Sequence, residues 1–233
     1  MPTNSVLLDF DGTLIDIADR PDAVVIDAAL AALLQQLAGT FPGRLGLVSG
    51  RSAAQLDAFL GTALDGIAIV GSHGAEVRTS RRRTSPARPQ ALTAAERTLR
   101  EAFAEWEEVL VEVKSLGVAI HYRLTPQVEP TVRETANRIA AETGLFVQEG
   151  KMMIELRAAG HDKGSGITAL MEEASFAGTV PVFAGDDVTD EAGFEAVAAL
   201  GGIGVLVGPA RPTAARYRLE DVAAVRAWLG QAA

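Results

Sequence analysis

The sequence predicts an α/β fold: a parallel sheet with crossover helices, carrying an inserted smaller α+β unit with an antiparallel sheet. Three observations predict it. Short apolar runs end in small or polar residues, as in Val6-Leu7-Leu8 before Asp9-Phe10-Asp11-Gly12. Stretches with apolar residues at helical spacing alternate with those runs, giving a β-α-β-α-β order. Between residues 80 and 158 the pattern changes to helix, two strands, helix, two strands, and after Gly160 the first pattern resumes. The expected division is therefore a core of residues 1–79 and 159–233 and an inserted unit of 80–158.

The elements follow in order. Residues 5–10 read as a buried strand. Pro21-Asp22 precede a helix expected over 26–37, with Leu30, Leu33, Leu34 and Leu37 at helical spacing, and Pro42-Gly43 stop it. Residues 45–48 form a short strand ending in Ser49-Gly50-Arg51, and Ser52 can cap the next helix. Residues 67–70 form a third strand, ending in Gly71-Ser72-His73-Gly74. The stretch 78–89, rich in Arg, Ser, Thr and Pro, reads as a turn or linker.

In the insert, residues 93–109 read as a helix with Thr93 and Glu96 as a capping box. Strands are expected over 109–114 and 118–123, a helix over 130–142, and strands over 145–148 and 152–156. Beyond Gly160 come a helix over 163–175, a strand over 180–184 ending in Gly185-Asp186-Asp187, and a helix over 190–200. A strand over 203–207 and a helix over 221–229 complete the order.

Composition bounds the function. The net charge of −9 argues against a nucleic-acid surface, and the Arg81-Arg82-Arg83 run is short and has no aromatic residue interleaved. The chain contains no cysteine, which rules out thiolate zinc sites and cysteine nucleophiles. No basic stretch followed by a long apolar one opens the sequence, and no window suits a membrane span. A soluble cytoplasmic protein, without nucleic-acid or membrane partners, is the expectation, with a monomer as the default. Lysine is scarce, three against 18 arginines, so Lys114, Lys151 and Lys163 are candidates for places where a compact point charge is needed.

In an open parallel sheet, ligands bind beyond the carboxyl ends of the strands. Four such ends carry small or polar residues, and their joint occurrence at one edge is informative where each alone is weak. Two carboxylates two positions apart, Asp9 and Asp11, repel unless a cation or solvent compensates. A carboxylate can act as nucleophile and form an acyl phosphate. Asp9 and Asp186, with the Asp11 carbonyl, can hold a magnesium ion, and Asp187 and Asp190 lie where they could order its waters. The Asp11 side chain is then available as general acid and base. Ser49 and the amides near Gly12 and Gly50 can hold phosphate oxygens, and Lys163 at a helix start offers charge to both phosphate and Asp9.

These motifs, Asp-Phe-Asp-Gly-Thr, Ser49, Lys163 and Gly-Asp-Asp-Val-Thr-Asp-Glu (185–191), resemble in order and spacing the four motifs of the haloacid dehalogenase superfamily of phosphotransferases. The resemblance spans the chain. It implies a Rossmann-like core, a phosphoaspartate at Asp9, acid/base catalysis by Asp11, and Mg2+ on Asp9, the Asp11 carbonyl and Asp186. It also implies that the insert is an α/β cap.

The expected strands of the insert alternate. Glu112 and Lys114 share a face, as do His121 and Arg123, and Lys151, Met153, Glu155 and Arg157. That polar face is either a solvated sheet surface or a ligand-binding one. Two of the three lysines stand on it, and alternating donors and acceptors suit a polyhydroxylated ligand, which favours binding. Glu-Val-Lys at 112–114, His-Tyr-Arg at 121–123, Gly-Lys-x-x-x-Glu at 150–155 and Gly-Ser-His-Gly at 71–74 resemble the trehalose-6-phosphate phosphatase family.

By that resemblance Glu112, Lys114, Arg123, Lys151 and Glu155 hold glucose hydroxyls. Arg51, His73 and His121 are further candidates for substrate contact, the two histidines being equally readable as structural. One departure from the family is Ala158, where a proline is usual. The implied reaction is hydrolysis of trehalose 6-phosphate, with the cap closing through hinges near 79–89 and 158–161. A phosphatase for sucrose phosphate or a mannosyl phosphate, and a catalytically silent sugar-phosphate binder, are the alternatives.

Overall fold

The computed structural model describes residues 3–18, 20 and 23–232. Pro21 and Asp22, expected before the first helix, lie outside the described residues. In chain order the elements begin with β1 (Asn4–Leu8), α1 (Ala28–Thr40), β2 (Leu45–Val48), α2 (Ala53–Leu60), β3 (Ala68–Gly71), β4 (Glu76–Arg78) and β5 (Arg83–Thr84). Then follow α3 (Gln90–Ala102), β6 (Leu110–Val113), β7 (Gly117–His121), α4 (Glu129–Thr143), β8 (Phe146–Gly150) and β9 (Met153–Arg157). The chain continues through α5 (Lys163–Met171), β10 (Val180–Gly185), α6 (Glu191–Ala199), β11 (Ile203–Val207), β12 (Tyr217–Leu219) and α7 (Val222–Gly230). Among the described residues no helix is long and apolar enough to cross a membrane.

The chain forms two compact units, one from residues up to Ser85 together with those from His161 onward, the other Pro86–Gly160. The larger unit holds an eight-stranded sheet in the order β12-β11-β10-β1-β2-β3-β4-β5. Strands β12 to β3 run parallel, and β4 and β5 are added antiparallel. Both faces are covered, as parallel strands require. Successive residues of β1 serve opposite sides: Val6 and Leu8 pack with α1 and α7, while Leu7 packs with α5 and α6. The strand order reverses between β1 and β10, which is where such sheets bind ligands.

The sequence-based boundary at 79/80 falls inside this sheet. Residues 78–84, read as a linker, form a hairpin in which Val77 pairs with Thr84 and Arg78 with Arg83. Strands this short carry no alternation to detect. The arginines of the run sit at the hairpin turn and on the edge strand, where charge discourages further strand pairing. The short edge strand β12 was also illegible for want of length.

The smaller unit is a four-stranded antiparallel sheet, order β6-β7-β9-β8, with α3 and α4 on its apolar face. Its first helix starts at Gln90, behind Pro89, and ends at Ala102, so the capping box expected at Thr93 does not exist. Leu92, Ala95 and Leu99 set the buried face from the first turn, and Pro89 fixes the backbone before it. Trp106, within the helix expected over 93–109, lies beyond the helix end and is 40% exposed. The β8–β9 turn falls at Lys151-Met152, with Met152 at φ 60°.

Candidate active site

The strands β1, β2, β3 and β10 deliver Asp9, Ser49, Ser72 and Asp186 to one edge of the sheet. Asp9 and Asp186 follow adjacent strands at the reversal point, and the Asp9 amide donates to the Ala184 carbonyl (2.9 Å). Asp9 is 3%, Asp186 8% and Asp190 0% exposed, and each can turn a carboxylate oxygen to within 4.8 Å of the others'.

Lys163 stands at the first position of α5, whose N-cap Asp162 accepts from the Ser165 amide. Its Nζ donates to Asp9 Oδ1 (2.8 Å) and Asp190 Oδ1 (2.6 Å). Asp190 Oδ2 accepts from the Asp187 amide (2.8 Å), so both its oxygens are engaged and it orients Lys163. Asp187 caps the turn over Val188–Asp190.

Burial holds the Asp9 carboxyl well above the usual carboxylate range; Lys163 opposes this, and Asp190 and Asp186 reinforce it. Burial would lower the Lys163 ammonium, but Asp190 and Asp9 outweigh it and hold the pKa above its ordinary value. Three carboxyl groups cluster with one ammonium here, so ionising all three would leave two uncompensated negative charges in a buried place. An all-oxygen donor set with that deficit suits a hard divalent cation such as Mg2+. Gly12, at φ +82°, lies so close that a Cβ there would come within 2.3 Å of Asp186 Oδ2, so glycine is required beside the cluster.

Asp11 is more open and meets a partner that sequence reasoning did not assign. Both its oxygens accept from Arg51, from Nε at 2.6 Å and Nη2 at 2.7 Å. The guanidinium stacks over Phe59, 4.8 Å from the ring centroid. Arg51, a candidate substrate contact from the sequence, pairs in this arrangement with the candidate acid/base. Ser49 is 1% exposed and its Oγ accepts from the Arg51 amide (3.1 Å), closing a tight loop around Gly50.

His73 is buried on that loop, in a turn where Ser72 (φ 49°) and His73 (φ 53°) are both left-handed without being glycine. Such residues cost about 1–3 kcal/mol each, and histidine is among those that tolerate it. Glu76, missed in the sequence, is 6% exposed and accepts from the Ala53 amide (2.7 Å) at the start of α2.

The smaller unit gathers Glu112, Lys114, His121 and Glu155 on the face opposite its helices. The pairing Glu112–Ala119–Glu155–Gln148 runs straight across the sheet. Lys114 Nζ meets Glu155 Oε2 at 2.6 Å with side chains only 9% and 3% exposed, and His121 Nε2 meets Glu112 at 2.8 Å. Glu155 lies across Gly117, where a Cβ would come within 2.1 Å of its Oε1. Arg123 donates to the Lys151 carbonyl (3.1 Å) and thereby ties down the β8–β9 turn.

The fold that carries this site has known counterparts. A phosphatase of the haloalkanoate dehalogenase-type (HAD) superfamily from Bacteroides thetaiotaomicron superposes with a TM-score of 0.65 at 16% identity, over 99% of this chain and 95% of its own. That likeness shows the fold the two chains share. The trehalose-phosphatase family profile matches residues 7–223. The trehalose-6-phosphate phosphatase of Escherichia coli (strain K12) is 39% identical over 224 residues, 95% of this chain and 83% of that one. A solved trehalose-6-phosphate phosphatase related protein superposes with a TM-score of 0.80 at 30% identity, over 97% and 95% of the two chains. The chain belongs to the trehalose-phosphatase family.

Proposed function

We propose that the chain hydrolyses trehalose 6-phosphate to trehalose and phosphate, with Mg2+, in the cytoplasm. The observation that carries the chemistry is Asp9, buried, held on one oxygen by Lys163 and set beside Asp186. Asp9 attacks phosphorus and displaces the sugar oxygen, which takes a proton from Asp11. Asp11 then draws a proton from water, whose oxygen attacks the acyl phosphate and regenerates Asp9. Asp9, Asp186 and the Asp11 carbonyl would hold the metal ion, which when bound offsets the charge of phosphate and carboxylates. Lys163 and the amides around Gly12 and Gly50, with Ser49, hold the phosphoryl oxygens. Arg51 grips both oxygens of Asp11, so proton delivery requires one of them to be released.

The sugar is read by the smaller unit, through Glu112, Lys114, His121, Arg123, Lys151 and Glu155. What supports this is the Lys114–Glu155 pair. An ion pair this buried is a poor source of stability. As a ligand site it offers donors and acceptors already desolvated and held in place.

The test is phosphate release from trehalose 6-phosphate, sucrose 6-phosphate, glucose 6-phosphate and a mannosyl phosphate, with and without Mg2+. The reading requires a preference for trehalose 6-phosphate and loss of turnover on chelation. Preference for another sugar would assign the smaller unit to that substrate, and full turnover by Asp9→Asn would refute the covalent route.

A further inference from the structure

The turn Gly71–Gly74 stands out because two successive non-glycine residues, Ser72 and His73, are left-handed ahead of Gly74 at φ +97°. Strain of this kind persists only where surrounding structure over-determines it. What it joins is on the page. The Ser72 amide donates to the Arg51 carbonyl (2.9 Å) and the His73 amide to the Ser49 carbonyl (3.1 Å), so the turn grips both ends of the loop around Gly50. The His73 ring rests against that loop so tightly that a Cβ on Gly50 would lie 2.6 Å from Cε1 and Nε2. One residue later, a Cβ on Gly74 would come within 1.9 Å of the Asp162 carbonyl oxygen, at the cap of the helix that begins with Lys163. On the same helix, a Cβ on Gly166 would come within 2.7 Å of the Gly74 Cα. Four residues therefore touch the loop bearing Ser49 and Arg51 on one side and the first turn bearing Lys163 on the other.

We propose that this turn is a strut and that His73 is its positioning residue. It sets the spacing between the phosphate-holding loop and Lys163, and it does so through the loop and not by contact with the sugar. The inference rests on the phosphatase reading, but concerns the phosphoryl step common to any ester and not the choice of sugar. It assigns a job to the left-handed backbone. The turn must bring two consecutive amides onto Ser49 and Arg51 while leaving Gly74 flat against α5, and an extended chain there would pass the loop by. Histidine suits the place because it tolerates that φ and its ring fills the space beside Gly50.

The experiment compares His73→Asn, which keeps a residue tolerant of positive φ but shortens the side chain, with His73→Gly, Gly50→Ala and the double variant Gly50→Ala/His73→Gly. Each is assayed on trehalose 6-phosphate and on p-nitrophenyl phosphate, which has no sugar, alongside the thermal unfolding midpoint. The strut predicts that His73→Asn and His73→Gly lower kcat on both esters by the same factor, about tenfold or more, as misplacement of a catalytic loop does. It predicts that KM for trehalose 6-phosphate moves less than about threefold, because uniform binding of the sugar is untouched. Gly50→Ala should impair the wild type but add nothing in the His73→Gly background, where its Cβ takes the vacated space.

A loss on trehalose 6-phosphate alone would show a sugar contact and overturn the strut, as would no loss on either ester, or losses that multiply in the double variant. If the wild type hydrolyses p-nitrophenyl phosphate but not trehalose 6-phosphate, the substrate reading fails and the strut is still judged on the sugarless ester. If it hydrolyses neither, the phosphatase reading fails and the strut stands or falls on the coupling of the two substitutions in the unfolding midpoint.

Discussion

The charged clusters of the two units are built on opposite plans. In the larger unit three buried carboxylates share one ammonium, and backbone features fix the geometry: strand ends, a helix start and glycines at Gly12 and Gly185 where a Cβ would strike Asp186 and Asp190. In the smaller unit one ammonium is matched to one carboxylate, Lys114 to Glu155, and the His121 ring shares a hydrogen bond with Glu112, on a regular antiparallel sheet. An unbalanced cluster calls for a cation and for phosphoryl chemistry. A balanced one can exchange its internal hydrogen bonds for those of a neutral, hydroxyl-rich ligand with no net change of charge. The contrast suggests a division of labour, with the reaction in one unit and the choice of substrate in the other.

The contrast breaks most sharply at Asp9. Asp9→Asn should lower phosphate release from every ester by about a thousandfold or more, since the nucleophile itself is lost. Asp11→Asn should cost about 10²- to 10⁴-fold on esters with poor leaving groups, the usual contribution of a general acid, and less on p-nitrophenyl phosphate, whose leaving group needs no proton. Glu155→Gln should cost about ten- to a hundredfold in kcat/KM on trehalose 6-phosphate, the worth of a charged hydrogen bond, and little on p-nitrophenyl phosphate. Gly117→Ala should act in the same direction by displacing the Glu155 side chain, with a stability loss of about 1–3 kcal/mol measurable by denaturant unfolding.

A smaller effect separates the units by pH. The folded pKa of Asp9 is raised above its ordinary 3.8, so the unfolded chain gives up that proton first. Without metal, the Asp9 contribution is fully present below pH 3.8 and is lost as pH rises through the raised folded value. Added Mg2+ should therefore raise the unfolding midpoint more at pH 8 than at pH 4.5, and Asp9→Asn should reduce that difference. The smallest effect is expected at the Arg78–Asp57 pair on the larger unit, where both groups are partly exposed. Asp57→Asn should change stability by no more than about 1 kcal/mol and leave turnover alone.

The core site was legible because its residues sit at strand ends that the apolar runs announce. Asp9, Ser49, Lys163 and Asp186 could be placed from alternation of strand and helix alone, and the family resemblance rests on the same residues. The polar face of the smaller unit was legible because a period of two puts Glu112 and Glu155 on one side. What stayed hidden had no period. The hairpin at residues 76–84 is too short to alternate. Pro89, read as the last residue of a linker, marks the start of a helix that the Thr93 capping signal misplaced. The Arg51–Asp11 pair joins residues 40 positions apart, and its discovery needs the geometry of two neighbouring loops. The left-handed turn at Ser72-His73 is written in a short Gly-Ser-His-Gly stretch, but its conformation and what it braces are set by tertiary contacts.

The division of labour is tested most directly by the ratio of two losses in one variant. Glu155→Gln is assayed on trehalose 6-phosphate and on p-nitrophenyl phosphate under the same Mg2+ and pH. The account predicts a fall of about ten- to a hundredfold in kcat/KM on the sugar phosphate, with the sugarless ester within about threefold of wild type. Equal losses on both esters, or none on either, would contradict it.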